Sequence, residues 1–107
     1  MSWKNFIRQI GKMTKVVHCR KAKFDYYCGR KFAEFAGSPL GNPFHEGYDG
    51  TREEVIEMFR NHFREKMYAD DDFRDLVLSL KDKTLGCWCK PQSCHCDVIA
   101  EYLNKLW

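Results

Sequence analysis

The strongest pattern of apolar and polar positions lies in the middle of the chain, between residues 49 and 68. Its apolar side chains recur at helical spacing: Val55, Ile56, Phe59, Phe63 and Met67. Thr51 and Glu54 precede most of this stripe at the spacing of a capping box, in which each side chain bonds the other residue's backbone N–H. The pattern therefore predicts an amphipathic helix over residues 49–68, with one face against a core.

Two further helices are predicted by the same kind of periodicity. One begins at an aspartate among residues 70–72, and its apolar stripe consists of Phe73, Leu76, Val77 and Leu80. The other covers residues 93–107, where Ser93 is the natural N-cap. Its inward-facing residues are Val98, Ile99, Tyr102, Leu103 and Leu106. A weaker pattern over residues 30–37 predicts one or two helical turns that end at Gly37.

Two short apolar runs predict strands. Residues 14–20, TKVVHCR, contain two β-branched valines before the pattern changes to charge, and residues 83–89, KTLGCWC, form a short buried run. Strands that alternate with helices are typical of a parallel sheet. We therefore expect a small single α/β domain over residues 15–107, with a short, mostly parallel sheet, flanking helices and a C-terminal strand–turn–helix unit.

The first 14 residues stand apart from this pattern. Trp3, Phe6, Ile7 and Ile10 have helical spacing, and Gly11 ends it. Residues 1–14 are therefore expected to form either a short helix that docks on the domain or a flexible leader. The segment has basic residues but no continuous apolar run and no small-residue cleavage site, which argues against a secretory signal.

Length and composition limit the class of protein. The chain has 107 residues, 44% of them hydrophobic, which is enough for one domain with a core. Its net charge of +3 is too nearly balanced to indicate tight, non-specific binding to nucleic acid. No apolar run approaches the roughly 18 residues of a membrane span. We therefore expect a cytoplasmic protein without membrane contact, in which the cysteines stay reduced.

A long loop, GSPLGNPFHEGYDG, lies between the first strand and the central helix, over residues 37–50. Its glycines and prolines favour tight turns, while its apolar residues can anchor it to the domain. A loop of this length in a small domain is more often functional than idle. Within it, the amide of Asn42 can bond either the backbone or a ligand.

Four of the six cysteines fall within ten residues, in the segment TLGCWCKPQSCHCDV. Cys87 and Cys89 point to the same face of a strand, and Cys94 then begins the last helix. The spacing C-x-C-x4-C-H can bring these three thiolates and the imidazole of His95 together, which is a ligand set that zinc accepts. Cys96 is a substitute fourth ligand. One interpretation of the cluster is therefore a metal site, with zinc as the cofactor.

Two other interpretations of the cluster stay open. Free cysteines are often buried as small apolar residues, which would leave Cys87 and Cys89 without a chemical role. Alternatively, Cys94 is a reactive thiol, because a helix N-terminus and nearby cations lower a thiol pKa. In that case His95 acts with Cys94 as a catalytic group, and Asp97 either orients His95 or only complements the helix dipole.

Basic side chains surround the same end of the predicted sheet. Arg20 follows the first strand, Arg30 follows a glycine, and Lys90 lies in the turn after the second strand. Parallel sheets bind ligands beyond the carboxyl ends of their strands and beside helix N-termini, and the arginine fork suits phosphate. We therefore expect Arg20, Arg30, Asn42 and Lys90 to bind a phosphate-bearing ligand.

The segments VVHCRK, YYCGR, SPLGNPF, DGTREEVIEMFR and LGCWCKPQSCHCDVIAEYL together resemble the bacterial and phage domain-of-unknown-function family number 4326. The resemblance runs from about residue 15 to the C-terminus. It implies a site at Cys87, Cys89, Cys94 and His95, in a cytoplasmic protein that is often encoded by a phage. Cys96 stands where the family usually has glycine.

Three functions fit these observations. The first is a pocket that binds a phosphate-bearing nucleotide or nucleoside-like ligand, with or without chemistry at Cys94 or His95. The second is a zinc-stabilised module that binds nucleic acid or protein. The third is a phage accessory protein that binds a host protein in the bacterial cytoplasm and keeps its cysteines in the core.

Overall fold

The computed structural model of the chain describes residues 13–31 and 34–106. The strands in these residues are β1 (Lys15–His18), β2 (Tyr26–Tyr27) and β3 (Thr84–Cys87). The helices are α1 (Arg52–Ala69), α2 (Asp71–Ser79) and α3 (His95–Asn104). The order along the chain is β1, β2, α1, α2, β3, α3. The predicted small α/β domain with a C-terminal strand–turn–helix unit is confirmed.

The three strands form one parallel sheet in the order β1–β3–β2, with β3 in the centre. His18 at the end of β1 lies opposite Cys87, and Tyr27 at the end of β2 lies opposite Gly86. All three carboxyl ends therefore meet at one edge, where parallel sheets bind ligands. The sequence pattern did not reveal β2, because a strand of two residues is too short to show a periodicity.

The first two helices begin at the predicted capping residues. Thr51 Oγ1 accepts the N–H of Glu54 at 3.2 Å, and Glu54 Oε1 accepts the N–H of Thr51 at 2.9 Å. Asp70 Oδ1 accepts the N–H of Phe73 at 3.0 Å at the start of α2. These bonds satisfy backbone donors that have no partner inside a helix, so the start of each helix is fixed by its local sequence.

The core lies where α1 and α3 pack together and α3 meets the sheet. α3 contacts β1, β3 and α1, and α2 packs against α1. The largest fully buried side chains come from each layer: Phe59 of α1, Leu85 of β3, and Ile99 and Leu103 of α3, with Leu40 from the loop. None of the helices in the described ranges has the length and apolarity that a membrane crossing requires.

The other sequence predictions meet the structure only in part. The predicted N-terminal helix or leader of residues 1–14 falls almost wholly outside the described residues. The helical turn predicted over residues 30–37 is wrong for residues 34–37, which are not helical. The Ser38 N–H donates to the Gly29 carbonyl at 3.0 Å, so the chain closes a loop there, and this long-range bond overrides a weak local preference.

A glycine lets another part of the chain cross the central strand closely. A Cβ atom added to Gly86 would stand 2.7 Å from Cγ of Phe24. The connection between β1 and β2 therefore passes over β3 at Gly86, with the Phe24 ring in the space that a side chain would fill. This crossing allows β1 and β2 to flank β3 with only a short connection between them.

We expect Gly86→Ala to lower the free energy of unfolding by roughly 1–3 kcal/mol, the usual cost of overpacking, measured by urea denaturation. The clash with Phe24 is the cause, so the same substitution should cost less in a Phe24→Leu background. An equal cost in both backgrounds would contradict this account of the crossing.

Candidate functional site

A pocket opens at the carboxyl end of β3, between the N-terminal ends of α1 and α3 and the loop of residues 37–50. Its volume is about 320 Å³. The sulfur and imidazole groups that line it belong to Cys87, Cys89, Cys94 and His95. The charged groups that line it belong to Arg30, Lys31, Glu46 and Arg52. The structure thus brings the cysteine segment and part of the basic set to one place.

Three buried thiols meet beneath this pocket. Cys87 is the last residue of β3, Cys94 precedes α3, and Cys96 is the second residue of α3. Their Sγ atoms all lie within 4.8 Å of one another, and each residue is at most 1% exposed. Among the described residues this buried cluster could hold a metal ion. Cys96, which the sequence offered only as a substitute ligand, is a full member of it.

Cys94 also caps α3, a role that the sequence assigned to Ser93. Cys94 Sγ accepts the N–H of Cys96 at 3.4 Å, and Asp97 Oδ2 accepts the N–H of Cys94 at 3.0 Å. The Ser93 prediction is therefore wrong by one residue. The preference of serine for an N-cap is worth only about 1 kcal/mol, and burial of the Cys94 thiol beside Cys87 decides where the helix begins.

Asp97 contributes to the cap and to one ion pair. Its Oδ1 atom lies 2.6 Å from Nζ of Lys90, which places the lysine over the start of α3. This pair joins the turn after β3 to the first turn of the helix. The bonds of the Asp97 carboxylate are to Cys94 and Lys90, so its position matches the helix-dipole interpretation more closely than an orienting role for His95.

His95 is held from both sides of its ring. Nε2 lies 2.9 Å from the carbonyl oxygen of Cys28, and Nδ1 lies 3.8 Å from Cys94 Sγ. A carbonyl only accepts, so Nε2 carries the hydrogen and the lone pair of Nδ1 faces Cys94. Burial lowers the pKa of His95, which keeps the ring neutral at pH 7. The ring edge packs against Phe59, with the centroids 5.0 Å apart.

The clustered thiols differ strongly in acidity. Hydrogen bonds from Cys94 and then Cys96 hold the pKa of Cys87 far below its usual range. The bonds to Cys87 and Cys89 raise the pKa of Cys94, and burial raises that of Cys96. The sequence-based expectation of a lowered pKa at Cys94 is therefore wrong. The hydrogen bonds with Cys87 and Cys89, together with burial, outweigh the effect of the helix N-terminus on the pKa of Cys94.

Cys89 is the thiol that meets the pocket most openly. It is half-buried, whereas the other five cysteines are buried. A hydrogen bond from Cys94, together with the guanidinium of Arg52, lowers the pKa of Cys89 to about 6. For any reaction with a pocket ligand, exposure and charge favour Cys89 over the buried Cys94, which the sequence had indicated as the reactive group.

Arg52 is a site residue that the sequence analysis missed. It is the first residue of α1, where a positive charge opposes the helix dipole, and that unfavourable position was the available signal. Its Nη1 donates to the Ser93 carbonyl at 3.1 Å, and its Nη2 lies 3.3 Å from Glu46 Oε1. Arg52 therefore ties α1, the loop and the start of α3 together around Cys89.

Two of the four predicted ligand-binding residues line the pocket. Arg30 is exposed, and its Nη1 donates to the Asn42 carbonyl at 3.0 Å. Asn42 is only 8% exposed. Its Oδ1 accepts the N–H of Phe44 at 2.9 Å, and its Nδ2 donates to the Val55 carbonyl at 3.2 Å. Asn42 thus uses its amide to position the loop, while Arg30 stands at the pocket wall.

The other two lie outside the pocket lining. Arg20 pairs with Glu34 at 2.6 Å, and its guanidinium lies 5.1 Å from the centre of the Trp88 ring. Lys90 is engaged with Asp97. His18, at the end of β1, accepts the N–H of Arg20 through Nδ1 at 3.1 Å. The carboxyl edge therefore has two basic regions, only one of which faces the pocket.

Brief treatment of the metal-free protein with iodoacetamide at pH 7 should modify Cys89 first, because the attacking thiolate must be both formed and exposed. Peptide mass spectrometry reads the order of labelling. The rate should fall as the pH is lowered through about 6, and Arg52→Gln should slow the reaction at pH 6 by raising the pKa of Cys89. Labelling of Cys94 before Cys89 would contradict the assignment.

Comparisons with known proteins agree with the resemblance seen in the sequence. The chain is similar to the "Uncharacterized 12.4 kDa protein in nrdA-td intergenic region" of Enterobacteria phage T4. The two are 32% identical over 98 residues, which cover 92% of this chain and 84% of that protein. No solved structure matches the chain significantly. Residues 12–105 match the family described as "Domain of unknown function (DUF4326)". The match includes the whole pocket and the thiol cluster, and the chain belongs to the DUF4326 family.

Proposed function

We propose that this domain binds a small phosphate-bearing ligand, a nucleotide or nucleoside derivative, in the pocket above the thiol cluster. The observation that carries the proposal is the charge of the pocket wall. Among the residues that the structure describes, Arg30, Lys31 and Arg52 line it together with one carboxylate, Glu46, which is already paired with Arg52. The wall therefore carries an excess of positive charge, which favours an anionic ligand.

The size and the other walls of the pocket support the same ligand class. Its volume of about 320 Å³ lies at the small end of the range of roughly 300–1,000 Å³ that small-molecule sites occupy. Tyr27, Phe44 and Trp88 also line it, and aromatic faces can stack a base. Phosphate would meet the cations of the rim, while the base would lie against the rings.

Isothermal titration calorimetry with nucleoside mono- and triphosphates tests the proposal directly. We expect at least one member of the panel to bind, and Lys31→Gln to weaken that binding roughly tenfold, because a charge-assisted contact is lost. Lys83→Gln is the matched control: it removes the same charge beside the opposite end of β3 and should leave the affinity unchanged. Silence across the whole panel would reject the proposed ligand class.

A zinc-stabilised module that binds nucleic acid or protein is the second candidate function. Its specific support is the set of three buried thiols, Cys87, Cys94 and Cys96. This candidate predicts about one equivalent of zinc in protein purified under reducing conditions, and loss of the folded state when a chelator removes it. Elemental analysis and circular dichroism measure the two. A metal-free protein that keeps its fold in chelator would reject the candidate.

The proposed setting is the reducing cytoplasm of a bacterial host. All six cysteines are free thiols, as expected where thiols stay reduced. The T4 relative is a phage protein, which supports the proposal that this chain also acts inside an infected cell. A contact with a host protein is compatible with either candidate function, since it would use the outer surface and not the pocket.

A further inference from the structure

We infer that Cys87, Cys94 and Cys96 hold one zinc-class ion through three thiolates, and that the fourth coordination position of this ion opens into the pocket. The inference rests on the proposed function only for the identity of the fourth ligand. Under this inference, the metal ion and the pocket belong to one site, so the zinc and ligand-binding interpretations of the cysteine segment no longer exclude each other.

The spacing of the three sulfur atoms fits one ion. A tetrahedral zinc ion with Zn–S bonds of about 2.3 Å separates its sulfur ligands by about 3.8 Å. The three Sγ atoms already lie within 4.8 Å of one another, so a contraction of at most about 1 Å completes the triangle. Two of the thiols, Cys94 and Cys96, lie two residues apart at the start of α3, and Cys87 lies at the end of β3, so backbone elements fix all three.

The burial of the three cysteines determines the side from which the fourth ligand comes. Cys87 and Cys94 line the pocket, whereas Cys96 lies behind them and is completely buried. Space for an ion and a further ligand is therefore on the pocket side of the sulfur triangle. Structural zinc sites close this position with a fourth protein ligand, whereas catalytic zinc sites leave it to water or substrate.

The nearest candidates for a fourth protein ligand have other partners. Cys89 contacts Cys94 but lies outside the three-sulfur cluster, and the Arg52 guanidinium holds its thiol. Arg52 is itself fixed by Glu46 and by the Ser93 carbonyl. His95 places Nδ1 3.8 Å from Cys94 Sγ and binds the Cys28 carbonyl through Nε2, but neither ring nitrogen lies within 4.8 Å of all three sulfur atoms. Within the described ranges, the ligand set therefore stops at three.

The charge of the loaded site explains why cations surround it. Three thiolates and one divalent ion leave a net charge of −1. The pocket wall carries Arg52 beside Cys89, and Arg30 and Lys31 farther along the lining. These cations offset the negative centre and allow an anionic oxygen to approach the open position. A phosphate oxygen of the pocket ligand, or a water molecule when the pocket is empty, has the chemistry to fill it.

Cobalt(II) can replace zinc in thiolate sites, and its absorption spectrum shows which kinds of ligand bind the metal. We expect the reduced full-length chain to bind one equivalent of Co(II), with sulfur-to-cobalt charge-transfer bands. Cys87→Ser, Cys94→Ser and Cys96→Ser should each weaken binding roughly 100-fold or more, since each ligand carries a large part of the affinity. Cys89→Ser and the matched control Cys19→Ser should retain it. Failure to bind Co(II), or equal loss with Cys89→Ser, would overturn the inference.

Two measurements on the wild-type chain test whether the fourth coordination position of the metal is open. They do not depend on how the variants fold. In the metal-loaded wild-type chain, iodoacetamide should still modify Cys89 while Cys87, Cys94 and Cys96 are protected. Azide, a small anion that needs no nucleotide pocket, should shift the visible Co(II) bands. Protection of Cys89, or bands that do not respond to azide, would show a closed four-ligand site and overturn the inference. A response to azide but not to nucleotide would uphold the open position and count against the proposed ligand.

Discussion

The contact between the thiols of Cys87 and Cys94 joins the end of the central strand to the start of the last helix, and the rest of the site depends on it. Cys94 is also the N-cap of α3, since its Sγ accepts the N–H of Cys96 at 3.4 Å. His95 and Cys96 follow Cys94 in the first turn of α3, where His95 Nε2 lies 2.9 Å from the Cys28 carbonyl oxygen and Cys96 lies in the thiol cluster. The contact between these two sulfur atoms thus links β3, the N-terminus of α3 and the base of the pocket.

Contacts between segments that are distant in the sequence hold the loop of residues 37–50 beside the thiol cluster and so form the pocket. Asn42 bonds Val55 of α1 through its side chain and receives Arg30 on its carbonyl, so the loop of residues 37–50 is tied to the helix and to the chain after β2. Arg52 joins the loop to the segment before α3, because it pairs with Glu46 and donates to the Ser93 carbonyl. Polar side chains that resemble ligand contacts in the sequence therefore serve partly as structural ties.

The sequence predicts the helices and the parallel character of the sheet well, because apolar periodicity and side-chain caps such as Thr51 and Asp70 are local signals. It also identifies the region of the site, since Cys87, Cys94 and His95 all line one pocket. It cannot predict β2, the N-cap of α3 at Cys94 instead of Ser93, or the raised pKa of the Cys94 thiol. Those features arise from contacts between distant residues: Tyr27 beside Gly86, Cys94 beside Cys87, and Cys28 beside His95. The charge of Arg52 at a helix start was a local signal, but the role of Arg52 depends on Glu46 and Ser93, which lie in two other segments.

X-ray absorption at the zinc edge of the reduced, zinc-loaded chain tests most directly whether the thiol cluster and the pocket form a single site. The account predicts three sulfur scatterers at about 2.3 Å and one oxygen or nitrogen scatterer at about 2.0 Å from the metal. The lighter scatterer should change when azide is added. Four sulfur scatterers would contradict the account by closing the metal off from the pocket, and a shell without sulfur would contradict it by placing the metal elsewhere.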